Sequence, residues 1–293
     1  MVETLLNSYN KLITYEELPE WCQDNKYIKQ GYRNCNKNFL FYCKNLFKIH
    51  NETVNIWSHL ISSGIFLYLI IYSNYYRIVG ENFGDNLAMN LFLVSEFLCF
   101  FFSWIMHNFY PYSEKWCGVL TKCDYFGISL NILGFYTIFI YYAFYCHRTF
   151  QIIYYSVSYG LGMITIILNC FSRFSGIKYT RIRAIIFFTF TIFCLVPFFH
   201  RIIAETLENE VSFDIELEYS SLTGTLLALS LFIYITKIPE RYFSVSYIFT
   251  SHQIFHIMST SALLLFYFGL FKIYDEHKNF KCVDGKGFLF KII

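Results

Sequence analysis

Charged residues are scarce in this chain. They make up 15% of its 293 residues, against 56% hydrophobic and 22% aromatic. A soluble domain of this length needs far more polar surface, so the composition excludes a water-soluble globular protein and places the chain in a bilayer. An excess of either sign is also lacking. With a formal net charge of +2, the overall balance points to neither nucleic acid nor an acidic substrate, and any charge signal has to come from position. The ten cysteines contain no CxxC pair and no compact secreted frame, which argues against a disulfide scaffold and a thiolate zinc site; they read as apolar filler. Residues 1–20 mix Glu3, Glu16 and Glu17 with Lys11 and have no continuous apolar core. A retained amino-terminal tail is therefore expected rather than a cleavable signal peptide. No internal repeat or low-complexity segment is evident.

What the chain has is long apolar runs. About 20 mainly apolar residues cross about 30 Å of hydrocarbon, and runs of that length fall at 56–76, 87–109, 125–145, 150–171, 184–200, 219–238 and 247–271. The expectation is an all-α membrane protein, a bundle of seven transmembrane helices. Residues 1–54 form an amino-terminal tail, 55–272 the bundle and 273–293 a carboxyl tail. Basic residues resist translocation. Fifteen of the 23 lie in the tail before the first span and in the even loops, leaving eight for the odd loops and the carboxyl tail. The amino terminus is thus expected in the cytosol and the carboxyl terminus outside or in a lumen, opposite to a seven-helix G-protein-coupled receptor. The stretch 15–33 is too polar to insert, but it carries Leu18, Trp21, Tyr27, Ile28 and Tyr32. It is expected to pack as a short helix on the membrane surface or the bundle, with Trp21 as anchor.

Chemistry-bearing residues gather at one depth. The last span opens with Ser251-His252-Gln253-Ile254-Phe255-His256, whose i, i+4 histidines share a helix face. Two imidazoles at that spacing form half a zinc site, though the spacing alone is common. His107 ends the second span with Ser103 one turn before it, and Asp124 sits where the third span begins. With the amino terminus inside, His107, Asp124, His252 and His256 all fall at the cytosolic edge, where ionisable residues turn inward toward partners. Three nitrogen ligands with a fourth position open to water are the pattern of a catalytic zinc. Asp124 could then hold that water or act as its base, and Ser103 could support the site or polarise a substrate carbonyl. The implied reaction is hydrolysis of a lipid amide or ester. Glu96 shares the face of Ser103 and His107 nearer mid-membrane; it either lines a cavity or is a protonated carboxyl bonded to a neighbouring helix. His59 is placed to support the site, whereas His50, His147, His200 and His277 read as interfacial or solvated.

Several runs resemble a known family. His50-Asn51-Glu52-Thr53-Val54-Asn55-Ile56-Trp57-Ser58-His59 is similar to the signature of the progestin and adipoQ receptors, which include the adiponectin receptors. So are Ser103-Trp104-Ile105-Met106-His107, Cys123-Asp124-Tyr125-Phe126-Gly127-Ile128, Lys237-Ile238-Pro239-Glu240-Arg241 and the Ser251 to His256 run. Within the family, Gly127-Ile128-Ser129, Ile132-Leu133-Gly134 and Tyr142-Ala143-Phe144-Tyr145-Cys146 look closest to member three, a Golgi scaffold that restrains Raf signalling. The resemblance implies seven helices, zinc on His107, His252 and His256, and Asp124 beside the zinc water. It also implies a lipid or steroid-like ligand or substrate, and ceramide-hydrolysing activity in some members. Ser244-Val245 stands where the family usually has a Pro-Gly turn, so the loop entering the last span is expected to be shaped differently. Two functions follow. One is a zinc-containing signalling receptor that hydrolyses lipid amides. The other is a non-enzymatic Golgi scaffold that recruits a Raf-type cytosolic kinase through residues 1–54, with the zinc structural. Either the Golgi, another endomembrane or the plasma membrane suits a multi-pass protein of this kind.

Overall fold

The computed structural model describes residues 11–77, 82–170, 180–193, 195–207, 215–243 and 247–277. Strands β1 (Ile13–Thr14) and β2 (Gln30–Tyr32) and helix α1 (Phe39–Asn45) precede the long helices α2 (Thr53–Tyr72), α3 (Phe83–Phe109), α4 (Glu114–Ala143) and α5 (Arg148–Cys170). After these come α6 (Thr180–Phe193), α7 (Leu195–Leu207), α8 (Ile215–Thr236) and α9 (Ser251–His277). Seven stretches among the described residues are long and apolar enough to cross a membrane, the fifth of them, Ile185–Ala204, carried by α6 and α7. Hydrocarbon offers no water to an exposed peptide group, so each span satisfies its own backbone as a helix. All seven hydropathy runs are found as helices.

The third span begins earlier than its apolar run implies. Ser113 caps α4 by accepting from the Trp116 amide, and Glu114 lies in the first turn, where a carboxylate suits the helix dipole. Lys115 and Lys122, which made this stretch look like a loop, are on the helix, and Asp124 lies about 15 Å along it. The α4 span is also the central one. Its most apolar window is 61% buried, against 17%, 12% and 17% for the fourth, fifth and sixth spans, whose apolar faces point outward. The core joins α2, α3, α4 and α9 through Phe66, Phe92, Phe100, Ile138, Phe266 and Leu270.

The amino-terminal segment is not the expected helix. β1 and β2 pair antiparallel around a 3-10 turn at Glu20–Cys22 that follows Pro19. Gly31 adopts φ +92° with the Tyr247 ring where a side chain would stand, a conformation open to glycine and hostile to a helix. Leu18, Cys22 and Tyr32 form a small core, with Trp21 only packed against it and Tyr110 reaching in from the end of α3. The bundle therefore carries a folded cap at this end. The carboxyl tail beyond His277 and the Ser244-Val245 departure lie outside the described residues, as do Arg173 and Lys178.

Two glycines let α3 and α4 touch. A Cβ at Gly127 would meet the Cys99 Cα at 2.9 Å, and one at Gly134 would collide with the Ser95 side chain. Seven residues apart, they lie on one helix face. Replacing Gly127 with Val wedges the helices apart beside Ser103 and Asp124, an overpacking that costs about 1–3 kcal/mol. Thermal unfolding in detergent should show a lower Tm for Gly127→Val, and an unchanged Tm would contradict the close approach.

Candidate metal centre

His107 is the third-last residue of α3, and His252 and His256 occupy the first two turns of α9. The start of α9 is held firmly. Glu240 accepts both the Ser251 amide, at 2.7 Å, and the Ser251 hydroxyl. Gln253 accepts the Thr250 amide at 3.2 Å, while its own amide donates to the Asn51 carbonyl at 3.0 Å. The Thr250-x-x-Gln253 spacing is that of a capping box. These bonds fix the phase of α9, so both imidazoles face α3.

The three rings meet. Ring centroids are 5.0 Å apart for His107 and His252, 4.9 Å for His107 and His256, and 4.7 Å for His252 and His256. One nitrogen from each lies within 4.8 Å of the other two. His107 and His256 are buried and His252 is partly so. Two of the rings also engage groups outside the cluster. His107 Nδ1 lies 2.8 Å from Glu52 Oε2 and His256 Nδ1 lies 3.4 Å from the Ser58 hydroxyl. His107 Nε2 is left buried with no partner among the described residues. A buried ring nitrogen without a partner is costly, and a cation shared with two further neutral imidazoles supplies one. The donor set suits zinc.

Ser103 and Asp124, buried at 4% and 8% exposure, are brought to the same place. The Asp124 carboxyl takes a side-chain hydrogen bond from Ser103 and lies near the His107 ring. The three histidines and the Ser103–Asp124 pair thus lie together, even though Asp124 is well inside its helix rather than at the start. Glu96 does not join them. It lies about 16 Å along α3 from His107, is fully buried and accepts from Asn131 Nδ2 on α4, which is the neighbouring-helix alternative. His59 stacks face to face on His256 with centroids 3.5 Å apart and planes 5° apart, and neither of its ring nitrogens has a partner among the described residues. Ring lone pairs lie in the ring plane, so parallel stacking keeps His59 from sharing an ion with His256.

His50 is no solvated loop residue. It is 1% exposed, its Nδ1 accepts the Glu52 amide at 3.1 Å, and burial pulls its ring down to about 3. His200 pairs with the Tyr154 hydroxyl at 2.7 Å among aromatic rings, and the His277 side chain lies outside the described residues. Sequence reasoning missed the parts played by Glu52, Arg33 and Glu240, which stand before the spans or between them. The one available signal was the i, i+3, i+7 spacing of Glu52, Asn55 and His59, which marks a single helix face.

A family model described as "Haemolysin-III related" matches residues 47–267. "Progestin and adipoQ receptor family member 3" of Homo sapiens is 32% identical over 261 residues, covering 86% of this chain and 83% of that protein. The chain belongs to the haemolysin-III-related family of progestin and adipoQ receptors. The "Adiponectin receptor protein" of Drosophila melanogaster is 31% identical over 262 residues, covering 89% of this chain and 59% of its own length. The "Progestin and adipoQ receptor-like protein 1" of Caenorhabditis elegans is also 31% identical, over 274 residues, 93% of this chain and 63% of its own. This progestin and adipoQ receptor relative thus spans about three fifths of those two proteins.

Arg33 links the cap to the centre. It is 3% exposed. Its guanidinium donates to the His107 carbonyl at 2.7 Å, and to the Asn108 carbonyl and side-chain oxygen at 2.9 and 3.2 Å. These are last-turn carbonyls without helical partners, at the negative end of the α3 dipole. Arg33→Ala strands them and should cost about 1.5–3 kcal/mol. The expected readout is earlier proteolytic cutting within residues 11–37 while helical circular dichroism is retained; cap protection equal to wild type would show that Arg33 does not hold it.

Proposed function

We propose that this chain is a zinc-containing, receptor-like membrane protein that hydrolyses lipid amides of the ceramide type and acts in signalling. The observation that carries the reading is the buried group of three imidazoles from α3 and α9 with the Ser103–Asp124 pair beside it. His107, His252 and His256 would hold the metal. When bound, zinc supplies Lewis acidity that brings the pKa of water toward 7. The chain's own groups then have separate tasks. Asp124 has no Lys or Arg ion partner among the described residues, so its carboxylate is available to take a proton from an attacking water. Ser103 holds that carboxylate in place. Because these groups lie within spans of a bundle whose outer faces are apolar, a substrate with a lipid tail reaches them by way of the membrane.

The reading places the amino terminus in the cytosol. Its support is the basic-residue asymmetry and the cysteines. Cys22 and Cys35, on the amino-terminal side, are free with their sulfurs 3.7 Å apart, whereas Cys146, past the far end of α4, is disulfide-bonded. Disulfides persist on the oxidising side of a membrane. Protease added to the cytosolic face of sealed vesicles should remove an epitope placed before residue 11 and spare one after residue 293; the reverse pattern would invert the topology.

A second reading is favoured by the bonds from the cap to α3 and from Asn25 to Glu240 at 3.0 Å. In it the metal pins helices together, and residues 1–54 recruit a Raf-type cytosolic kinase at a Golgi membrane. One set of measurements separates the two. Detergent-purified protein should contain about one zinc per chain, lost in His252→Ala, and should release fatty acid from a ceramide. Asp124→Asn should keep the zinc and lose about 10²–10⁴-fold in rate. Zinc without hydrolysis would leave the scaffold, and hydrolysis surviving in His252→Ala would sink the mechanism.

A further inference from the structure

The α2 helix brings no metal ligand, yet its first residues sit directly behind the cluster. Glu52, the residue preceding Thr53, is 13% exposed at the side chain and places Oε2 2.8 Å from His107 Nδ1. Both carboxyl oxygens are held from the other side. Asn51 Nδ2 donates to Oε1 at 2.7 Å and Asn55 Nδ2 donates to Oε2 at 2.7 Å. Asn51 is itself anchored, its amide donating to the Gly31 carbonyl at 2.8 Å and its carbonyl accepting from Gln253 at 3.0 Å. Glu52 is thus a rigid acceptor tied to both the cap and α9.

A carboxylate only accepts, so the proton of this bond sits on His107 Nδ1 and the lone pair is left on Nε2. Nε2 is the atom that is buried without a partner. We infer that Glu52 is a positioning residue of the metal centre: it fixes His107 in the tautomer and ring orientation that present Nε2 to the ion, and so sets the affinity of the site. The arrangement is that of a carboxylate behind a metal-bound imidazole, which also raises the basicity of the ligating nitrogen. Asn51 and Asn55 prevent the carboxylate from swinging away.

The inference rests on His107, His252 and His256 holding a metal, and the test keeps the two apart. Zinc dissociation constants are measured on detergent-purified full-length protein by competition with a chelator, and thermal unfolding is followed on the zinc-free form. Glu52→Ala should bind zinc ~10–100-fold more weakly than wild type. Glu52→Gln keeps an oxygen for the Nδ1 proton but turns an amide NH2 toward a donor, and should fall between the two. The zinc-free forms of wild type and Glu52→Gln should unfold alike. Equal zinc affinity in all three proteins would overturn the role of Glu52 while leaving the metal site intact. Affinity that falls only in step with zinc-free stability would also overturn it, reducing Glu52 to a structural residue. If Glu52→Ala does not fold, Glu52→Asp replaces it: the shorter carboxylate keeps its charge but loses reach, and wild-type affinity in it would reject the assignment. A wild type that binds no zinc would reject the metal reading itself.

Discussion

Three imidazoles from two helices meet at one end of the bundle, two of them buried and the third partly so, and most of the polar structure at this end of the molecule follows from the need to satisfy them. A buried ring nitrogen must find a donor, an acceptor or a cation. His107 meets this need with Glu52 on one side, and His256 meets it with Ser58. The Nε2 of His107 has no partner among the described residues. Holding three such groups together requires that α3 and α9 be fixed in both depth and rotation. The carboxylate of Glu240, the amide of Gln253 and the guanidinium of Arg33 do this at the helix ends, where unpaired backbone groups are available to be bonded.

Polar anchoring of this kind ties the amino-terminal cap to the bundle. Its own core is three residues with a fringe, too small to stand alone in water. What orders it is bonding to the helix ends: Arg33 to the end of α3, Asn25 through Glu240 to the start of α9, and Gly31 to Asn51 before α2. The same groups that position the histidines also hold the cap. Burial pushes the Glu52 carboxyl up, while hydrogen bonds from His107 and Asn55 pull it down, to about 2.

The bundle divides by burial. The spans of α2, α3, α4 and α9 share the aromatic core, and α4, apolar almost all round, is central. Close contact between α3 and α4 depends on Gly127 and Gly134. Without a hydrophobic drive between helices in lipid, small residues and polar bonds decide which faces meet. Glu96 with Asn131 does for the middle of that interface what Ser103 with Asp124 does near the metal centre.

The seven spans were legible because a bilayer imposes one length and one polarity on every segment that crosses it. The two histidines of α9 were legible because helix geometry puts i and i+4 on one face, and His107 because the span order placed it at the same edge; Asp124, read as the start of its span, stands well inside the helix. Other features depended on contacts that pattern does not encode. The stretch 15–33 had apolar residues enough for a helix, but Pro19, the positive φ at Gly31 and the pull of helix ends made it a hairpin. His50 read as a loop residue, yet the fold buries it. Local sequence determined the helices, their order and the depth of the imidazoles. Only the tertiary structure decided which buried polar group answers which, because that choice is made by residues such as Arg33, Glu52 and Glu240 whose partners include groups 11 to 215 positions away.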